Sequence, residues 1–181
     1  MNTANKITIL RILMIPVFMI VLLLQWEYSD IAAAAIFVLA AATDGLDGYI
    51  ARKHGQVTDF GKFIDPLADK LLVATALVCL VDLERIASWM AVVIIAREFI
   101  VTSLRIVAIS SGVVIAASMT GKVKTVIQII ATVCALLFYG KAYAIFGMSA
   151  GYIAMGIAAL FTIYSGVVYL KGNWHLINHF K

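Results

Sequence analysis

The chain has few charged residues for its length. Only 13% of its 181 residues are Asp, Glu, Lys or Arg, whereas 64% are hydrophobic. Soluble domains carry roughly 25% charged residues and about 45–50% apolar ones. A soluble core of this size cannot bury so much apolar surface. The composition therefore excludes a soluble globular domain and predicts a small integral membrane protein.

Other features are also scarce. The two cysteines, Cys79 and Cys134, lie inside apolar runs and are interpreted as small buried hydrophobes, not as a disulfide or a metal site. Alternation with a period of two residues is absent, which favours helices over barrel strands. No low-complexity linker interrupts the chain, so residues 1–181 are expected to form a single membrane domain.

Six apolar segments are each long enough to cross a bilayer, which takes about 20 helical residues. They lie at 5–25, 30–53, 58–81, 86–110, 120–140 and 147–170. The first lacks a signal-peptide cleavage site and is expected to be retained. An Arg- and Ser-rich transit peptide is also absent, which favours a bacterial inner (plasma) membrane. We therefore expect an all-α, multi-pass protein with six transmembrane helices.

Positive charge is unequally distributed between the two ends of these segments. The loops 25–31, 82–88 and 140–148 contain only Arg85 and Lys141, and the other twelve of the fourteen Lys and Arg lie on or near the opposite side. The positive-inside rule makes that opposite side cytoplasmic, and both termini share it. The pI of 9.1 follows from this orientation and from attraction to anionic lipid, so no nucleic-acid partner is expected.

Five Asp occur in one stretch, TDGLDGYIARKHGQVTDFGKFIDPLADK, which is residues 43–70. Asp44 and Asp47 are three residues apart, and Asp65 and Asp69 are four apart, so each pair shares a helix face. At the helical rise, all four lie roughly 18 to 26 Å from the outer face of the membrane. The carboxylates are therefore expected to meet in one band near the cytoplasmic side.

Four carboxylates in a medium of low dielectric require compensation. They can take up protons, as in a transporter, pair with Lys and Arg, or bind divalent cations such as Mg²⁺, Mn²⁺ or Ca²⁺. The apolar outer halves at 31–42 and 70–81 disfavour a transport pathway. A non-catalytic scaffold is a further alternative, and it would tolerate replacement of Asp by Asn. Gly45, Gly48 and Ala51 leave one strip of the second helix without large side chains, where a neighbouring helix or a ligand can approach.

The pattern Asp44-x2-Asp47-Gly48-x2-Ala51-Arg52-x8-Gly61-x3-Asp65-x3-Asp69 resembles the signature of the CDP-alcohol phosphatidyltransferases in every element and spacing. The resemblance implies a homodimer with six membrane helices per chain, two divalent cations (Mg²⁺ or Mn²⁺) and a cytidine-diphosphate lipid donor. It also implies that Asp44, Asp47, Asp65 and Asp69 bind the metals, and that Asp69 is the general base toward the acceptor hydroxyl.

The resemblance also implies a donor site. Gly48, Ala51 and Gly61 would let CDP-diacylglycerol approach the helices, and Arg52 would pair with its diphosphate. Asn5, Thr8 and Arg11 lie on one side of the first helix, and N-x2-T-x2-R resembles the start of bacterial members. These residues are expected to close the nucleotide pocket.

Later charges bear on the acceptor. Arg97 lies roughly 16 Å from the outer face, where an unpaired Arg is costly. Arg97, Arg105, Lys122 and Lys124 can converge near the Asp band, and such a cluster suits a phosphate. The blocks ARE-x3-T-x2-R and GK-x-KT-x2-Q resemble family members that use glycerol 3-phosphate, which implies phosphatidylglycerophosphate and CMP as products. Inositol phosphate, serine and phosphatidylglycerol remain alternative acceptors.

Overall fold

The computed structural model describes residues 3–53, 59–110, 119–140, 144–145 and 148–174. Within these residues the chain forms six helices: α1 Thr3–Leu23, α2 Ser29–Lys53, α3 Asp59–Asp82, α4 Ser88–Ser110, α5 Met119–Leu137 and α6 Ala150–Gly172. A short antiparallel hairpin, β1 Ala144–Ile145 and β2 Met148–Ser149, precedes α6. The predicted all-α class is confirmed, and the hairpin is an addition that the sequence did not indicate.

The ends of the helices follow local chemistry. α6 begins at Ala150, three residues later than predicted, because Ser149 caps it: the Ser149 hydroxyl accepts a hydrogen bond of 3.2 Å from the backbone N–H of Tyr152. α5 ends at Leu137, and Gly140 follows with a φ of 85°, a conformation that favours glycine. These signals mark the end of α5 and the start of α6.

The helices pack into a bundle around a core of buried apolar side chains. α1 packs against α2 and α3, α6 packs against α5 and α4, and α2 also contacts α5. The Phe18 and Phe37 rings meet across α1 and α2 with centroids 5.9 Å apart. α2 and α3 contact each other, as expected for the two helices that carry the Asp pairs.

The backbones of α5 and α6 come very close together at Gly151. A Cβ atom on Gly151 would lie 2.6 Å from the Cα of Ala135 and 2.7 Å from the carbonyl oxygen of Cys134. The backbone N–H of Gly151 donates to the carbonyl of Phe138 at 3.0 Å. Only glycine permits this contact between two backbones, which is the usual role of small residues where membrane helices meet.

Large apolar side chains cover the outward surface of all six helices, including Leu13, Leu39, Val78, Val92 and Leu160. Such an extensive apolar exterior is typical of a surface that faces lipid. Within the described residues, α5 and α6 are the two helices that are long and apolar enough to cross a membrane. α1 and α2 contain shorter apolar stretches, Thr8–Leu23 and Ser29–Thr43.

An ion pair links two helix ends and a turn at the end of the bundle that is far from the Asp signature. Nη1 of Arg85 lies 2.7 Å from Oδ1 of Asp30 and donates to the carbonyl of Leu136 at 3.1 Å. The guanidinium stacks 3.6 Å above the Tyr139 ring. A hydrogen bond to the Asp30 carboxylate raises the pKa of Tyr139. These contacts lock the start of α2, the α3–α4 turn and the end of α5 together.

Candidate functional site

The signature residues lie on two contacting helices. Those in α2 are Asp44, Asp47, Gly48, Ala51 and Arg52, and those in α3 are Gly61, Asp65 and Asp69. Their helical placement agrees with the prediction that each Asp pair shares a helix face. The side-chain environments of these eight residues and of Asn5 in α1 lie outside the part of the chain that the structure describes. The convergence of the carboxylates therefore stays a prediction.

The polar side of α1 packs against α2 where the signature begins. Thr8 and Arg11 are buried, and the Arg11 residue is only 1% exposed. Nε of Arg11 donates to the Thr43 hydroxyl at 3.3 Å, and that hydroxyl donates to the carbonyl of Ala40 at 2.7 Å. Thr43 immediately precedes Asp44. Arg11, a predicted nucleotide-pocket residue, therefore contacts the residue that precedes Asp44, the first predicted metal ligand. The sequence did not indicate this contact with Thr43.

A cavity of about 210 Å³ brings together three of the four predicted acceptor-site cations. Arg97 and Arg105 come from α4 and Lys122 from α5, and Lys70 joins them from α3. The sequence did not indicate Lys70 as part of this site, although this residue directly follows Asp69 in the block FIDPLADKLL. Its position links the cation cavity to the helix that carries the predicted general base.

Arg97 is held by α6. Its Nη2 donates to the Ser165 hydroxyl at 2.9 Å, and its Nη1 donates to Oε1 of Glu98 at 3.1 Å. A Cβ on Gly166 would lie 3.2 Å from its Cγ, so the absence of a side chain there makes room for the arginine. Two small α6 residues, Ser165 and Gly166, thus set the position of the Arg97 side chain. In the sequence they stand out only as a polar residue and a glycine within an apolar helix.

Arg105 is held by the same helix one turn further on. Its Nε donates to the Tyr169 hydroxyl at 3.4 Å, and its guanidinium carbon lies 5.8 Å from the centre of that ring. Tyr169 is buried and lines the cation cavity. Ser165 and Tyr169 are four residues apart and share one face of α6, so this face presents both arginines to the cavity.

Lys124 takes a different position from the other cations. Its Nζ donates a hydrogen bond to Oε1 of Glu98 within a salt bridge, and its side chain is 4% exposed. It lines a second, smaller cavity of about 60 Å³, together with Gln128 and the shared residues Lys70 and Glu98. The structure therefore places Lys124 beside the predicted acceptor site, on the far side of Glu98.

A larger cavity of about 520 Å³ lies at the opposite end of the bundle. Its lining includes Arg85 and Tyr139, which are engaged with Asp30 as described above. Asp30 and Asp44 are separated along α2 by about 21 Å of helix. That cavity is therefore remote from the signature, and Arg85, the one cation among its described lining residues, is already paired with Asp30.

In electrostatic terms the described site is strongly positive. Five cations line the two adjoining cavities, and Glu98 is the single acid among their described lining residues. Such a cluster, with two arginines that can bind in a bidentate manner, suits a doubly charged phosphate. Among the residues described here no group of three metal-ligating side chains occurs, and the four signature Asp side chains fall outside them.

Comparison with known proteins agrees with this geometry. The family model described as CDP-alcohol phosphatidyltransferase matches residues 1–164. The CDP-diacylglycerol–glycerol-3-phosphate 3-phosphatidyltransferase of Bacillus subtilis (strain 168) is 44% identical, over 97% of this chain and 97% of the relative. Its namesake from Pseudomonas fluorescens is 42% identical, over 96% and 91%. A probable phosphatidylglycerophosphate synthase of Mycobacterium tuberculosis (strain H37Rv) is 40% identical, over 93% and 80%. With the signature intact on contacting helices and a family match over most of its length, the chain belongs to the CDP-alcohol phosphatidyltransferase family.

Proposed function

We propose that the chain transfers the phosphatidyl group of CDP-diacylglycerol to glycerol 3-phosphate, giving phosphatidylglycerophosphate and CMP. The observation that carries the acceptor assignment is the cavity lined by Arg97, Arg105, Lys122 and Lys70. Its excess of positive charge suits an acceptor that bears a phosphate, and serine lacks one. The names of the relatives support the same acceptor.

The reaction moves one proton and exchanges one bond at phosphorus. The hydroxyl of the acceptor gives its proton to the carboxylate of Asp69. Its oxygen forms a bond to the lipid-side phosphorus of CDP-diacylglycerol. The bond from that phosphorus to the bridging oxygen breaks, and CMP leaves with the bridging oxygen. Lys70 follows Asp69 in α3 and lines the cation cavity, which supports an acceptor phosphate beside the helix that carries the base.

The signature carboxylates suit a pair of divalent cations. Carboxylate oxygens are the ligands that Mg²⁺ and Mn²⁺ prefer, and α2 and α3, which carry the four Asp, contact each other. Asp44, Asp47 and Asp65 would be the main ligands, with Asp69 adjoining. When bound, the cations would neutralise the diphosphate and stabilise the leaving CMP. Arg52, Gly48, Ala51 and Gly61 would admit the donor, and Asn5 and Thr8 would close over it.

The proposed membrane arrangement has six spans, with both termini and the active site on the cytoplasmic side. The helices contain 19 to 25 residues, which makes each about 28 to 38 Å long, enough to cross the hydrocarbon core. Charged residues in α2, α3 and α4 lower their hydropathy because these helices form the site. We further propose that residues 1–181 act as one domain, as a homodimer in a bacterial inner membrane.

The acceptor assignment can be tested with purified protein. CMP release from CDP-diacylglycerol in the presence of Mg²⁺ is compared for glycerol 3-phosphate, inositol phosphate, serine and phosphatidylglycerol. We expect release with glycerol 3-phosphate alone. Release only with another acceptor would refute the assignment to glycerol 3-phosphate, and release with none would refute the proposed transfer itself.

A variant ties the acceptor to the cavity. Arg105→Ala removes a charged hydrogen-bond donor, which typically contributes about 1.5–3 kcal/mol, so the KM for glycerol 3-phosphate should rise roughly 10- to 100-fold. The KM for CDP-diacylglycerol should change little. Lys171→Ala removes the same charge from an exposed position at the end of α6 and serves as the control. Equal effects on both substrates would contradict the placement of the phosphate.

A further inference from the structure

Glu98 occupies a central position among the cations of the site. It lines the cavity of about 210 Å³ with Arg97, Arg105 and Lys122, and it also lines the cavity of about 60 Å³ with Lys124. Among the described lining residues it is the one acid. A carboxylate lowers the attraction of a site for an anion, so its presence beside a phosphate-binding cavity requires an explanation.

The contacts of Glu98 converge on one oxygen. Oε1 accepts a hydrogen bond of 3.1 Å from Nη1 of Arg97 and another from Nζ of Lys124. Arg97 and Glu98 are consecutive in α4, where neighbouring side chains point about 100° apart and do not normally meet. Oε1 of Glu98 thus bridges a cation of its own helix and a cation of α5. The Glu98 side chain is 19% exposed, so these interactions are only weakly screened.

These contacts assign different roles to two of the predicted phosphate ligands. Lys124 is more deeply buried than Arg97, with side-chain exposures of 4% and 12%, and of the two adjoining cavities that the described residues form it lines the one of about 60 Å³. The Lys124 ammonium would have to leave Glu98 to reach a phosphate in the cavity of about 210 Å³. Breaking a buried pair in this way is costly because it leaves a charge uncompensated.

Arg97 is oriented, not neutralised, by the same carboxylate. Nη1 is directed to Glu98 and Nη2 to Ser165 at 2.9 Å, which fixes the plane of the guanidinium from two sides. A guanidinium has five N–H donors, so three remain. Among the described residues Nε has no hydrogen-bond acceptor although it is buried. A buried donor of this kind is normally satisfied, and an anion in the adjoining cavity would satisfy it.

We propose that Glu98 is a positioning residue of the acceptor site. It orients the Arg97 guanidinium toward the acceptor phosphate and retains Lys124 as a counter-ion outside direct contact. The phosphate is bound by Arg97, Arg105 and Lys122, with Lys70 beside them. This inference rests on the proposed function. It divides the cation cluster into residues that touch the phosphate and Lys124, which acts through Glu98.

Two roles for Glu98 predict opposite results. If Glu98 only reduces the positive potential, Glu98→Gln adds one net positive charge and lowers the KM for glycerol 3-phosphate. If it positions Arg97, the same variant raises that KM because the guanidinium loses one of its two fixed partners. The sign of the change therefore distinguishes positioning from a simple field effect.

The experiment measures CMP release by the full chain in detergent with Mg²⁺. The KM for each substrate is determined for wild type, Glu98→Gln, Lys124→Met and the double variant. We expect Glu98→Gln to raise the KM for glycerol 3-phosphate about tenfold and that for CDP-diacylglycerol less than about twofold. Lys124→Met should raise the former about threefold. Because Lys124 acts through Glu98, the double variant should be no worse than Glu98→Gln alone.

Glu84→Gln, which removes the same charge from an exposed residue in the α3–α4 turn, is the control and should leave both KM values unchanged. If Glu98→Gln fails to fold because it strands Lys124, the double variant carries the test, with the same tenfold rise expected. An unchanged or lowered KM in Glu98→Gln, or additive effects in the double variant, would overturn the positioning role while leaving the transferase assignment intact. Failure of the wild type to use glycerol 3-phosphate would overturn both.

Discussion

The contact between Gly166 and Arg97 offers a test of the site that changes no charge. In Gly166→Ala the new Cβ would lie 3.2 Å from Cγ of Arg97, closer than the 3.5 Å or so at which carbon atoms pack well. The stem of Arg97 must retreat by a few tenths of an ångström. Its hydrogen bonds to Glu98 and Ser165 measure 3.1 and 2.9 Å, so a shift of this size takes one of them beyond about 3.2 Å.

The magnitude follows from that loss. A hydrogen bond to a charged group contributes about 1.5–3 kcal/mol, and lengthening it forfeits part of that amount. A loss of roughly 1 kcal/mol corresponds to about a fivefold rise in the KM for glycerol 3-phosphate. The KM for CDP-diacylglycerol should stay within about twofold, because the one described atom within 4 Å of the new Cβ belongs to Arg97.

Gly156→Ala is the matched control. It also lies in α6, and its Cβ would meet the terminal methyl of Met90 at 3.6 Å, an ordinary contact with a flexible side chain. Both variants gain the same helical propensity, up to about 1 kcal/mol, so this term cancels in the comparison. The assay is steady-state CMP release with one substrate varied at a time. Equal KM values in the two variants, or a parallel shift for both substrates, would refute the proposed role of α6 in positioning Arg97.

Three further outcomes are expected. Gly151→Ala should destabilise the protein by about 1–3 kcal/mol, because the backbones of α5 and α6 must separate. A thiol-reactive dye that reports exposure of the buried Cys79 on heating should give a lower melting temperature. An unchanged melting temperature would contradict the close packing. Asp69→Asn should abolish CMP release while Mn²⁺ binding persists, and retained turnover would remove its role as base. Arg85→Met should lower the free energy of unfolding by about 2–4 kcal/mol, because it leaves the Asp30 carboxylate without its partner. The KM values should stay unchanged. If the double variant with Asp30→Asn fails to recover stability, loss of the ion pair is not the cause.

Much of the architecture could be predicted because its signals are local. Long apolar runs predict helices, and the six predicted segments correspond to the six helices of the structure with shifts of a few residues at their ends. Where the ends differ, a cap or a turn is responsible, as at Ser149 and Gly140. The hairpin at 144–149 was missed because two-residue strands have no periodicity to detect.

The signature was readable for a similar reason. Spacings of three and four residues place Asp44 with Asp47, and Asp65 with Asp69, on common faces in any helix. The recognition of the family from these spacings agrees with the family match over residues 1–164. Whether the four carboxylates meet stays a prediction, because their side chains lie outside the described residues.

The apolar composition, the helical periodicity and the spacing of the family signature are readable from the sequence, because none of them depends on which helices pack together. The set of cations that share a cavity does depend on that packing. Ser165 lies 68 residues beyond Arg97, and Lys124 lies 26 residues beyond Glu98, yet these side chains are in contact. Periodicity defines the face of one helix, but the pairing of faces from distant helices depends on how closely each pair can pack. That packing places Lys124 in a different cavity from the three other predicted cations, and it brings Lys70 to the lining of both cavities.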